Sequence, residues 1–283
     1  MKQLKTIAFV SITAISLCMN ACNNQPASQE KTSGATDTSA SRIMTETVTY
    51  LGGDTTMNSF VAYDQTFDKK RPAVLIIPEW WGVNEYVKGR ARQLAALGYI
   101  AMAVDVYGYG KTATTPDSAM QLAAPFYKDP HIAKTRFDAA LEKIKTYPQT
   151  DAHEIAAIGY CFGGAQVLNL ARAGEDLKGV VSFHGNLVGA VKADKNLLKA
   201  KILVCQGADD QFVKPAEVAA FKKQMDSIGA DYTLKIYPGA THAFTNPDAT
   251  ATGKKFNLPI AYNGAADTAS WNEMKIFFDK IFK

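Results

Sequence analysis

The residues with the clearest capacity for chemistry centre on Cys161, in the run Ile155-Ala-Ala-Ile-Gly-Tyr-Cys161-Phe-Gly-Gly-Ala-Gln-Val-Leu168. Its first half is a short apolar run, the signature of a buried strand, and Ala165 to Ala171 is a helix-forming run. Between them a thiol is flanked by glycine at minus two and plus two, the pattern of a nucleophile on a sharp strand-to-helix turn. Such a turn holds the backbone strained and projects the side chain above the sheet. Strand and helix backbones crowd at the flanking positions, and Gly159 and Gly163 meet that demand, while Gly164 lets the helix pack closely. A helix over 164–173 would aim the positive end of its dipole at Cys161 and favour a thiolate. A lone free cysteine is more often a small core residue; the paired glycines between strand and helix move the reading to a nucleophile.

A thiol nucleophile needs a base, and the base an orienting acid. His242 lies in Gly239-Ala-Thr-His-Ala-Phe244, directly after the last expected strand, where it can take the thiol proton and return it to a leaving group. The acid comes from Gly207-Ala-Asp-Asp-Gln-Phe-Val213; the spacing from the glycine and to the valine selects Asp210, with Asp209 as a loop-capping neighbour. Glu79, in Pro78-Glu-Trp-Trp-Gly-Val-Asn84, follows another strand, and its carboxylate is placed to sense the thiol, a solvated loop glutamate being the plainer reading. The backbone amide of Trp80 in that loop, with that of Phe162, would hold the oxyanion of a tetrahedral intermediate. His131 and His153 open elements and read as solvated, His184 ends the strand beside the nucleophile and is a candidate to line the pocket, and Cys205 reads as core.

The elements that must position these groups alternate. An edge hairpin is expected over Glu46–Leu51 and Asn58–Tyr63, turning at Gly52-Gly53-Asp54. Buried strands are expected at 73–77, 99–104, 155–160, 179–183, 201–205 and 232–237. Helices are expected at 84–97, with Asn84 as N-cap and Gly98 as stop, and at 116–127, 130–146, 164–173, 215–228 and 268–282. Alternating strands and helices give an α/β fold, a mostly parallel doubly wound sheet with helices on both faces. Ligands bind such sheets beyond the carboxyl ends of the strands, where Glu79, Cys161, Asp210 and His242 all fall.

The chain has 283 residues, and its start is not part of this domain. Lys2 and Lys5 precede a short apolar stretch, Ile7 to Leu17, and Met19-Asn-Ala-Cys22 has the form of a bacterial lipobox. Residues 1–21 are therefore expected to be a lipoprotein signal peptide, Cys22 the lipidated residue, and 22–43 a polar flexible tether. Residues 44–283 form the catalytic domain, held at a membrane of the bacterial envelope on its periplasmic or extracellular face. Losing the leader removes two lysines, so a formal charge of +4 falls to +2 and carries little information about partners. No basic block interleaved with aromatics suggests nucleic acid, and the cysteines and histidines have no zinc spacing. Neither a metal nor a cofactor is expected.

Taken together, Pro78-Glu-Trp-Trp-Gly-Val-Asn84, Gly159-Tyr-Cys-Phe-Gly-Gly164, Asp210-Gln-Phe-Val213 and Gly239-Ala-Thr-His-Ala-Phe244 resemble the dienelactone hydrolase family of the α/β-hydrolase superfamily, from about residue 45 to the C-terminus. The resemblance implies a triad of Cys161, His242 and Asp210, and a Glu79 that holds the thiol until substrate frees a thiolate. It implies a small-molecule ester or lactone hydrolysed through a thioester. The founding enzymes bind the substrate carboxylate with arginines, one of them four residues after the histidine; here that position is Asn246, and 111–129 has Lys111 and Lys128 but no arginine. Two other readings stand beside the hydrolase: a non-catalytic membrane-anchored binding protein that keeps the fold, and an acyltransferase.

Overall fold

The computed structural model describes residues 42–282. The expected signal peptide, Cys22 and the tether up to residue 41 lie outside the described residues. Strand β1 (Ile43–Gly52) pairs antiparallel with β2 (Thr55–Asp64), the two joined by Gly53 and Asp54, with Gly53 at φ +63°. That positive φ suits the two-residue hairpin turns whose twist matches the strands. Then follow β3 (Arg71–Ile77), α1 (Glu85–Ala96), β4 (Ile100–Ala103), α2 (Pro116–Lys128) and α3 (Pro130–Lys145). The second half runs β5 (Thr150–Tyr160), α4 (Phe162–Arg172), β6 (Gly179–Phe183), β7 (Lys201–Gly207), α5 (Pro215–Ile228), β8 (Tyr232–Tyr237), α6 (Ala249–Phe256) and α7 (Gly264–Ile281).

One sheet of eight strands takes the order β1-β2-β4-β3-β5-β6-β7-β8; β1, β2 and β4 pair antiparallel and every other pairing is parallel. The parallel strands are near-continuous apolar runs because both faces are covered. Along β3, Leu75 and Ile77 join Phe137, Val167 and Phe221 from α3, α4 and α5. Val74 and Ile76 point the other way, to Val87 and Leu94 of α1 and Met274 and Phe278 of α7. Helices α1 and α4, which follow the neighbouring strands β3 and β5, thus lie on opposite faces. The sheet order reverses between those two strands, and a crevice opens there.

Most boundaries lie within two residues of expectation. Asn84 caps α1, its side chain accepting from the Val87 N–H, and Gly229 closes α5 at φ +66°. Three differences bear on the site. Helix α4 starts at Phe162, not 164, because Cys161 is itself the capping residue and the glycines lie inside the first turn. Helix α7 starts at Gly264, not 268, where the Asn263 side chain accepts from Ala266 N–H. Helix α6 was not expected, since Ala-Thr-Ala-Thr-Gly-Lys-Lys-Phe has weak helix propensity.

Candidate active site

Cys161 has φ +53° and ψ −114°, an uncommon conformation for a residue with a side chain. Its surroundings enforce it. A Cβ on Gly159 would run into the Gly163 carbonyl, and one on Gly163 into the carbonyl of Ile77 on the neighbouring strand. The Cys161 N–H is shared between the Phe183 carbonyl at 3.0 Å and Nδ1 of His184 at 3.1 Å. The thiol is half-buried and unpaired with the other described cysteine, Cys205, which is fully buried in the core with its pKa pushed up to about 12 by burial.

His242 comes from the loop after β8. Its Nδ1 lies 2.9 Å from Oδ2 of Asp210, leaving Nε2 for the Cys161 sulfur beside it. Burial opposes an imidazolium here; the negative charge of Cys161 and the Asp210 hydrogen bond outweigh it and push His242 up to about 10. Asp210 is held on every side. Oδ2 also accepts from Gln206 Nε2 at 2.7 Å, and Oδ1 accepts the backbone N–H groups of Phe212 at 2.8 Å and Val213 at 3.2 Å. Asp209 is exposed, its N–H spent on the Ala240 carbonyl at 3.0 Å. Phe162, at the first helical position, has an N–H without an intrahelical acceptor. The Trp80 carbonyl is fixed by the Tyr107 hydroxyl at 3.0 Å.

Glu79 is buried beside Cys161 and His242, in the crevice between β3 and β5. Its hydrogen bond goes to Asn246, whose Nδ2 donates to Oε2 at 2.8 Å, rather than to the thiol. Burial raises its pKa to about 7 against the pull of Asn246, His242 and Arg90. His184 differs from expectation. It is fully buried against the Cys161 backbone and does not line the cavity. Burial and the charges of His242 and Arg90 hold it well below the usual imidazole range, so it is neutral. With Nδ1 accepting from Cys161, the proton belongs on Nε2, which faces Thr245 Oγ1 at 2.8 Å; Thr245 in turn meets the Tyr86 hydroxyl at 2.7 Å. Thr245 and Tyr86 carried no sequence signal, being 61 and 159 residues from the groups they bond.

Above these groups lies a cavity of about 360 Å³. Its wall includes Trp80, Trp81, Tyr127, Phe162, Phe212 and Ile260. Ile260, after α6, forms a parallel bridge with His242, so the unexpected segment closes one side of the site. Among the described residues, no group of three or more His, Cys, Asp or Glu could hold a metal ion.

Residues 57–282 match the family described as the dienelactone hydrolase family. The chain belongs to that family. Within it, the chain is similar to protein usf of Aquifex pyrophilus, 30% identical over 203 residues, which is 68% of this chain and 87% of that protein. An Aquifex aeolicus protein bearing the name carboxymethylenebutenolidase is 30% identical over 180 residues, 62% of this chain and 77% of its own length. Among solved structures, a dienelactone hydrolase-like promiscuous phosphotriesterase from metagenomic libraries superposes with a TM-score of 0.81 at 33% identity, covering 86% of this chain and all of the other. The expected family and α/β-hydrolase fold therefore hold.

Proposed function

We propose that this dienelactone hydrolase family member cleaves carboxylic esters or lactones with Cys161 as nucleophile and a thioester acyl-enzyme as intermediate. One observation carries the reading: a thiol on a strained turn faces an imidazole whose far nitrogen meets Asp210 at 2.9 Å. Nε2 of His242 takes the thiol proton as sulfur attacks the carbonyl carbon. The N–H groups of Phe162 and Trp80 receive the oxyanion. Collapse breaks the C–O bond, and the alkoxide leaves with the proton from His242; from a lactone it stays attached as a hydroxyl on the acyl chain. Water then gives a proton to His242 and attacks the thioester, releasing the acid and restoring the thiol. Asp210 fixes the imidazole and stabilises its charge throughout.

Turnover of phenyl acetate by wild type, Cys161→Ala and Cys205→Ala tests this. Loss of Cys161 should cost at least about 10⁴-fold in kcat, as for triad members that act as a unit, while Cys205→Ala should stay near wild type. Undiminished turnover in Cys161→Ala rejects the thiol mechanism, and absence of turnover in wild type favours a binding protein. Added alcohols appearing as new esters would favour acyl transfer. The phosphotriesterase neighbour supports a second reading, attack of the same thiol on uncharged phosphotriesters, and a triester assay on both cysteine variants tests it. The lipobox at Cys22 supports membrane attachment in the envelope.

A further inference from the structure

The relatives named carboxymethylenebutenolidase bear a name that specifies a carboxyl-carrying lactone, whereas the cavity of this chain offers nothing to receive a carboxylate. Among the described residues, none that line it is lysine or arginine. The one group there that can carry positive charge, His242, is already answered by Asp210 at 2.9 Å and faces the Cys161 sulfur with its other nitrogen. Arg90, whose charge reaches Glu79, is bound to Asp267 at 2.5 Å and to the Thr245 carbonyl at 2.7 Å. Lys111 and Lys255 lie over the rings of Tyr109 and Phe256, at 5.4 Å and 4.9 Å from the ring centroids. At the inner end stands an acid, Glu79, satisfied by the neutral amide of Asn246 at 2.8 Å.

The remaining surface is aromatic and aliphatic. Phe212 stands edge-on to His242 with ring centroids 4.9 Å apart, Trp80 and Trp81 meet at 5.2 Å, and Tyr127 meets Phe162 at 5.7 Å. A substrate carboxylate entering here would lose its water without gaining a cation and would approach Glu79. An aryl or compact alkyl group would lose little and gain apolar and ring contacts. A volume of about 360 Å³ accommodates one small aryl ester beside the thiol.

We infer that the cavity selects uncharged esters and lactones with an aromatic or compact apolar substituent, and rejects those bearing a carboxylate; the inference rests on the hydrolase reading above. The test compares matched probes. para-Acetoxybenzoate and its methyl ester place the charge on the leaving group; phenyl hydrogen terephthalate, as its anion, and its methyl ester place it on the acyl group. In both pairs kcat/KM should favour the uncharged member by at least about 100-fold, from burial of a carboxylate with no cation to pair it. Met120→Arg puts a cation on the cavity rim at a residue that is 51% exposed. It should narrow the preference about fivefold, as an exposed charge pair does. Equal or reversed preference, with both activities lost in Cys161→Ala, overturns the selectivity and leaves the hydrolase reading standing. Failure of wild type to cleave any probe, or cleavage that survives Cys161→Ala, sinks the hydrolase reading and the selectivity with it.

Discussion

Glu79 is placed where its own charge is disfavoured. Burial raises its pKa from 4.5 to about 7, so the folded protein holds that proton more tightly than the unfolded chain does. Stability from this group is complete below pH 4.5 and is lost as pH rises through about 7. Glu79→Gln keeps an acceptor for Asn246 and cannot ionise. The variant should match wild type in stability at pH 4 and exceed it at pH 8, by as much as about 3 kcal/mol; a pH series of urea unfolding curves checks it. His184 acts on the backbone, not the substrate. His184→Phe keeps the ring against Tyr160 and Phe244 but removes both hydrogen bonds. It should cost about 1–3 kcal/mol in urea unfolding and lower kcat more than it raises KM. The gathering of Cys161, Asp210, His242 and Glu79 at one crevice was legible because each sits in a short motif at a strand end. The setting of His184 was not, since its partners Thr245 and Tyr86 reach it only through the fold.

At the scale of elements, the close contact of β5, α4 and β3 determines where the Cys161 thiol sits. Glycines inside the first turn of α4 cost about 1 kcal/mol each in helix propensity, and the structure accepts that to bring the backbones together. Gly163→Ala sets a methyl against the Ile77 carbonyl. It should destabilise by about 3 kcal/mol, at the upper end for overpacking, because the obstacle is backbone. A lower urea midpoint with an unchanged slope is the expected record. Strands and the long helices were readable from periodicity because both faces of the sheet are apolar and the caps are explicit, as at Asn84 and Gly229. Helix α6 was not, because its threonines, lysines and glycine give no stripe; Ala249 and Gly253 are the residues it buries. It forms through tertiary support, and the segment after it supplies Leu258 and Ile260 to the cavity.

At the scale of the whole molecule, the fold gathers residues from four strand ends over one crevice, and the family match from 57 to 282 spans all of them. The fold class was legible because alternation of strand and helix admits few topologies. The antiparallel pairing of β2 with β4 was not, since only the assembled sheet decides that neighbour. The proposed attachment predicts that Cys22→Ser moves the full chain from the membrane to the soluble envelope fraction, read by fractionation and blotting, with esterase activity intact; unchanged partition would remove the anchor. The contrast between the two thiols of the folded region has a practical consequence. Cys205 is sealed in the core while Cys161 opens on the cavity. An alkylating titrant should therefore consume one equivalent per competent domain, and a tryptic mass map should place it on the peptide holding Cys161. Under the proposed thiol mechanism, any preparation can thus be graded by its count of reactive Cys161 thiols without a substrate assay.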